Sequence, residues 1–181
     1  MLKKRIMNIV AIALLLLMTA ACGGKPPSSQ AALTPKEAVE LATAWTGAAA
    51  MIQAGGLYKE GEYKTFAHKG LEYRYLAAHL DSKKKLRAEL QKYVTKKKAK
   101  RFMKDNGILK HKGKLASPET EAPPDSLLQW DTATARAMKT KKNKMTFELT
   151  VPIGDTRTAE TIIVSYIHVK KSGWRIDKFN E

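Results

Sequence analysis

The chain has 181 residues, with 33 Lys and Arg against 17 Asp and Glu, a formal charge of +16 and a single cysteine. One cysteine excludes an intramolecular disulfide, so packing alone must hold the fold. Once a leader is set aside, the remaining length suits one domain with one hydrophobic core.

Lys3, Lys4 and Arg5 precede an uncharged apolar run from Ile9 to Met18, and Thr19-Ala20-Ala21-Cys22 follows it. A basic start, a short apolar middle and a small-residue site make residues 1–21 a secretory signal. The run is shorter than the roughly 20 residues a spanning helix needs. Cys22 stands where a bacterial lipoprotein signal places its acylated cysteine, although Thr19 occupies a position where Leu is usual. The alternative is an ordinary signal whose cleavage site adjoins a cysteine. Residues 22–33, with Gly23, Gly24 and a Pro- and Ser-rich stretch, form a tether, and residues 34–181 form a single domain. The expected place is the outer face of the bacterial cytoplasmic membrane, with the chain held there by its N-terminal lipid. Acylation of Cys22 would leave no thiol for catalysis. Loss of residues 1–21 removes three basic groups and no acid, so +16 becomes +13. In an exported protein such a charge disfavours nucleic acid as a partner. It leaves either plain solvation or contact with anionic lipid head groups and wall polymers, which salt would screen.

Thr34, Pro35 and Glu37 give a helix start with a capping box. Ala38, Leu41, Ala42, Trp45, Ala48, Ala49 and Ile52 then recur at helical spacing as one apolar face, and Gly55-Gly56 stops the helix. Residues 57–80 hold Tyr58, Tyr63, Phe66, Tyr73 and Tyr75, and Glu72–Leu76 fits either a short strand or a helical turn. These aromatics read as the wet edge of a core or as a ligand platform.

Two helices follow. Asp81 or Ser82 caps the first, with Leu86, Leu90, Tyr93 and Val94 inward. Thr95 starts the second, with Ala99, Phe102 and Met103 inward, and Asn106-Gly107 closes it. Eleven Lys and Arg lie between Lys83 and Lys104 against one acid, Glu89. Lys83, Lys84, Lys85, Lys96, Lys97, Lys98, Lys100 and Arg101 form the densest basic patch, either a solvated face or a contact for polyanions.

Ala116 to Ser126 carries Glu119, Glu121 and Asp125 with Pro118, Pro123 and Pro124, and no Lys or Arg. It reads as an exposed acidic loop without regular structure, after which Leu127, Leu128 and Trp130 return to the core. A meander completes the chain. Residues 130–139 form a weak strand and Lys141–Asn143 a turn. Met145, Phe147, Leu149 and Val151 alternate with polar residues as a half-buried strand. Ile162, Val164, Tyr166 and His168 alternate with Ile163, Ser165 and Ile167 in a strand apolar on both faces, hence central. Trp174–Asp177 is the last strand.

Helices followed by a curved antiparallel sheet make this an α+β roll or cone, a fold that resembles the NTF2-like group. Fold alone decides little about activity. His68, His79, His111 and His168 are scattered, with no ligand spacing between them, and no nucleophile elbow or phosphate-binding glycine loop occurs. No catalytic residue, metal site or cofactor is expected, and the chain reads as no enzyme.

Tyr63–Phe66, Tyr73–Leu76 before the Asp81–Leu86 helix start, Gly113–Pro118 running into the acidic loop, Leu128, Trp130, Val151-Pro152 and Gly173–Ile176 stand in a characteristic order. In that order and spacing, over most of residues 34–179, the chain resembles the IseA family of inhibitors of bacterial cell-wall DL-endopeptidases. The resemblance implies a partner of the NlpC/P60 type, a hydrolase that cuts the D-glutamyl–diaminopimelate bond with a cysteine nucleophile. It also implies inhibition by a loop presented to the enzyme's cleft, which Ala116–Ser126 would supply here. Glu119, Glu121 and Asp125 would give electrostatic complementarity and Leu127 or Leu128 an apolar anchor. A plain secretory signal occurs in the family, whereas this chain carries a lipoprotein-type one. The other reading is a lipid-anchored binding module for a small ligand or wall fragment. Its pocket would be lined by Trp45, Tyr73, Tyr166 and Trp174, and a filled cone would speak against it.

Overall fold

Helix α1, Pro35–Gln53, begins where the capping box requires. The Thr34 hydroxyl accepts from Glu37 N while the Glu37 carboxylate accepts from Thr34 N at 2.8 Å. It ends in a Schellman turn, with Gly55 N donating to Ile52 O and Gly56 N to Met51 O, both glycines at positive φ. In the computed structural model residues 32–119 and 127–180 are described. The expected signal and Cys22 lie outside them, as do Glu121 and Asp125.

Ala38, Ala42, Trp45, Ala48 and Ile52 are the buried face of α1. They lie on a four-stranded antiparallel meander formed by β5 (Thr134–Lys141), β6 (Lys144–Pro152), β7 (Ala159–Val169) and β8 (Gly173–Asn180), in that order. Met145, Phe147, Leu149 and Val151 of β6 all point inward, and β7 is central, as its two apolar faces demand. Irregular pairing between Ala137 and Lys139 and between Ser165 and Tyr166 bends this sheet around the helix. The helix on a curled antiparallel sheet is the arrangement of an NTF2-like roll. Tyr166, fully buried, donates from its hydroxyl to the Ala38 carbonyl at 2.7 Å and so ties the central strand to α1.

A second, smaller sheet was not legible as such. Here β1 (Thr65–His68), β2 (Leu71–Tyr75), β4 (Lys114–Pro118) and β3 (Leu109–His111) pair antiparallel in the spatial order β1-β2-β4-β3. Glu72–Tyr75 is thus strand rather than helical turn. Ala116, Ser117 and Pro118, expected in an irregular loop, are also strand. Pro118 is tolerated because it faces Tyr73 in a non-hydrogen-bonded pair, with the next ladder bond running from Glu119 N to the Glu72 carbonyl, so the pairing with β2 needs no N–H from it.

Helix α2, Lys83–Leu90, is capped by Ser82, and α3, Lys96–Asp105, by Thr95. The expected stripe of α2 outlasts the helix. Tyr93 sits in a turn and Val94 forms a parallel bridge with Ile176, where Ile176 N donates to Tyr93 O and Thr95 N to Ile176 O, both at 2.9 Å. That link docks the two helices on β8. Residues 130–132 are a short 3-10 turn rather than strand, and β5 begins only at Thr134. The core cluster, from Leu33 to Ile176 with Phe179 at its edge, lies wholly within one compact unit, residues 33–181.

Candidate functional site

The acidic segment leaves the small sheet and returns at the large one. On the leaving side Glu119 N donates to the Glu72 carbonyl at 2.8 Å, which extends the β2–β4 ladder by one step. The Glu119 carboxylate accepts a hydrogen bond from the Tyr63 hydroxyl. That bond is the chief reason the Tyr63 phenol is pushed above its ordinary value. Tyr63 in turn meets Tyr58 edge-to-face, with centroids 5.3 Å apart, and Tyr58 donates to the Tyr75 carbonyl at 2.8 Å. A chain of two tyrosines therefore carries the position of β2 outward to an acid at the surface.

On the returning side Gly154 N donates to the Leu127 carbonyl at 2.6 Å, and Leu128 bridges Ile153 antiparallel. Leu127 is 66% exposed. Leu128 instead packs against the protein's own core, which leaves Leu127 as the apolar group offered to solvent. Tyr63 was missed as a site residue. Its place in the aromatic-rich stretch was the available signal, but its partner lies 56 positions away.

The eight basic residues expected as a patch all fall on α2, α3 and their flanks, and they are not equivalent. Lys85 pairs with Asp81 at 2.9 Å and donates to the Ala78 carbonyl, and Arg101 pairs with Asp105 at 3.3 Å. Lys98 lies over the rings of Phe179 and Trp45, at 5.0 and 5.7 Å from their centroids, so its stem and charge help to seal the core. Lys83, Lys84, Lys96, Lys97 and Lys100 are exposed and have no ion-pair partner among the described residues.

Trp45, Tyr73, Tyr166 and Trp174 do not line a common pocket. Tyr166 meets Phe147 edge-to-face inside the roll and Trp45 meets Phe102, so side chains fill the cone. Tyr73 belongs to the small sheet, stacked on Phe66, and Trp174 packs on His168. A cleft of about 190 Å³ lies instead on the small sheet. Among the described residues no three His, Cys, Asp or Glu side chains come together as a metal site would require. Nor is any described helix long and apolar enough to cross a membrane.

The family model of the IseA DL-endopeptidase inhibitor matches residues 29–181. A curated protein of Bacillus subtilis (strain 168), described as "Uncharacterized protein YoeB", is 31% identical over 116 residues. The aligned stretch takes in 64% of this chain and 62% of that relative, so the chain spans less than two thirds of the relative's length.

Proposed function

This chain belongs to the IseA DL-endopeptidase inhibitor family, and from that premise we propose that it inhibits NlpC/P60-type peptidoglycan DL-endopeptidases by seating its acidic segment in the enzyme's cleft. The observation that carries the mechanism is the fixing of Glu119 at the mouth of the segment, by Tyr63 on one side and the Glu72 carbonyl on the other. A carboxylate held in place before docking loses little conformational entropy on binding, so more of its attraction reaches the affinity. Glu121 and Asp125 extend the negative charge, and exposed Leu127 supplies an apolar anchor beside it. Such a segment imitates the anionic peptide stem that these hydrolases cut.

The lipoprotein-type leader supports anchoring through Cys22 to the outer face of the cytoplasmic membrane, where inhibition would be confined to the membrane-facing wall. Lys83, Lys84, Lys96, Lys97 and Lys100, without ion-pair partners among the described residues, would add weak, salt-screened attraction to anionic wall polymers. Metabolic labelling with a fatty acid tests the anchor, since only Cys22→Ser should lose the label.

Replacing Glu119, Glu121 and Asp125 together by Ala tests the docking mechanism. Inhibition should weaken at least about tenfold, roughly the effect of losing 1.4 kcal/mol of binding. Unchanged inhibition would remove the segment from the mechanism.

A further inference from the structure

The cleft on the small sheet is lined by Lys64, Lys112 and Lys114 with Glu62, Tyr75 and Leu76. Three lysines and one glutamate give the lining a formal net charge of +2 at neutral pH. The one acid is already committed. Glu62 accepts from Lys59 N at 2.8 Å and from Ala78 N, so its oxygens serve the backbone of the cleft's rim. None of the three lysines has an ion-pair partner among the described residues. Lys112 and Gly113 form the two-residue turn between β3 and β4, both at positive φ, which sets where Lys112 and Lys114 leave the backbone. At the inner edge Tyr75 Oη lies 2.6 Å from His111 Nδ1, and the His111 ring stacks on Phe66 at 3.9 Å. Tyr75 is therefore held in one orientation.

We propose that this cleft binds a phosphate ester. Its donors are lysines with no arginine, that is, mobile point charges rather than a planar fork. Several independent ammonium donors around one cleft suit a tetrahedral group with several terminal oxygens better than a planar carboxylate, which pairs best with a planar fork. The volume of about 190 Å³ falls below the range of roughly 300 Å³ and upward that holds drug-sized ligands, so the cleft takes one phosphate and a short stem. The site stands apart from the inhibitor reading, and its test contains no hydrolase.

Glycerol 3-phosphate is titrated into the isotopically labelled domain, residues 33–181, which contains the whole core, at about 0.15 M salt where long-range attraction is screened. Saturable amide shifts are expected at Tyr75, Leu76 and Gly113, with none for glycerol. The variant Lys64→Gln/Lys112→Asn/Lys114→Gln should bind at least about tenfold more weakly. Lys83→Gln/Lys84→Gln/Lys96→Gln/Lys97→Gln, on the helices, should bind as the parent does. Should the cleft variant lose its fold, Lys114→Gln alone should still weaken binding about threefold. Two further arms identify the source of the phosphate, phosphatidylglycerol vesicles and soluble poly(glycerol phosphate). The arm in which the cleft variant loses binding names it, and loss in neither names a free phosphate ester. Absence of saturation, equal loss in the helix variant, or equally tight binding of glutarate would overturn the proposal.

Discussion

The Tyr63 hydroxyl donates to the Glu119 carboxylate and joins residues 56 positions apart at the point where the acidic segment begins. Tyr63→Phe keeps the ring against Tyr58 and frees the carboxylate. Both residues are exposed, so unfolding in urea should shift by only about 0.5 kcal/mol or less. Inhibition should weaken about threefold to tenfold, because the acid must then be ordered during docking. A full-strength Tyr63→Phe inhibitor would show that this orientation is dispensable.

Gly55 ties helix stability to the same surface. Its φ is +93°, and a Cβ added there would lie 1.9 Å from the Tyr58 hydroxyl and 3.1 Å from Arg74 Cδ. Gly55→Ala must therefore strain the backbone and displace Tyr58 from the Tyr75 carbonyl. A loss of about 1–3 kcal/mol is expected from the backbone alone. Inhibition should fall with it, since Tyr58 supports Tyr63. Thermal unfolding and an inhibition assay on the same variant check both.

The start of α1 should confer a small acid sensitivity. The backbone amide and then the hydroxyl of Thr34 hold the Glu37 carboxyl below its ordinary value of 4.5. A lowered carboxyl stabilises the fold above the ordinary value, and that contribution is lost as pH falls through it and below. The site is largely exposed, so the effect is about 0.5 kcal/mol or less after solvent screening. Glu37→Gln should flatten stability against pH in that window, while Thr34→Ala should cost about 1 kcal/mol at neutral pH. Urea unfolding at several pH values separates the two.

Much of this was legible because its causes are local. The capping box spans four residues, the alternation in β6 is uninterrupted from Met145 to Val151, and β7 is apolar on both faces, so helix, sheet and strand order follow from periodicity. The small sheet escaped because β1, β3 and β4 have only 4, 3 and 5 residues, mixing lysine, histidine and proline. Strands that short carry no readable period and are fixed by pairing across distant segments. The acids Glu119, Glu121 and Asp125 stood out by composition. Tyr63 and the lysines at 64, 112 and 114 could not, because only tertiary pairing brings Tyr63 to Glu119 and gathers the three lysines at one cleft.

The central strand should depend on one buried hydroxyl. Tyr166→Phe keeps the edge-to-face packing on Phe147 and removes the bond to the Ala38 carbonyl. The expected loss is about 1 kcal/mol, or about 3 °C in Tm for a domain of this size, with no change in inhibition at 25 °C. A differential scanning trace of the variant beside the parent checks it.

Hydrolysis of purified cell wall by an NlpC/P60 endopeptidase, with and without increasing amounts of residues 33–181, tests the inhibitor reading most directly. Dose-dependent loss of hydrolysis, relieved in the triple Ala variant at 119, 121 and 125, is the predicted result. Undiminished hydrolysis by a panel of such enzymes at micromolar excess of the domain would contradict it.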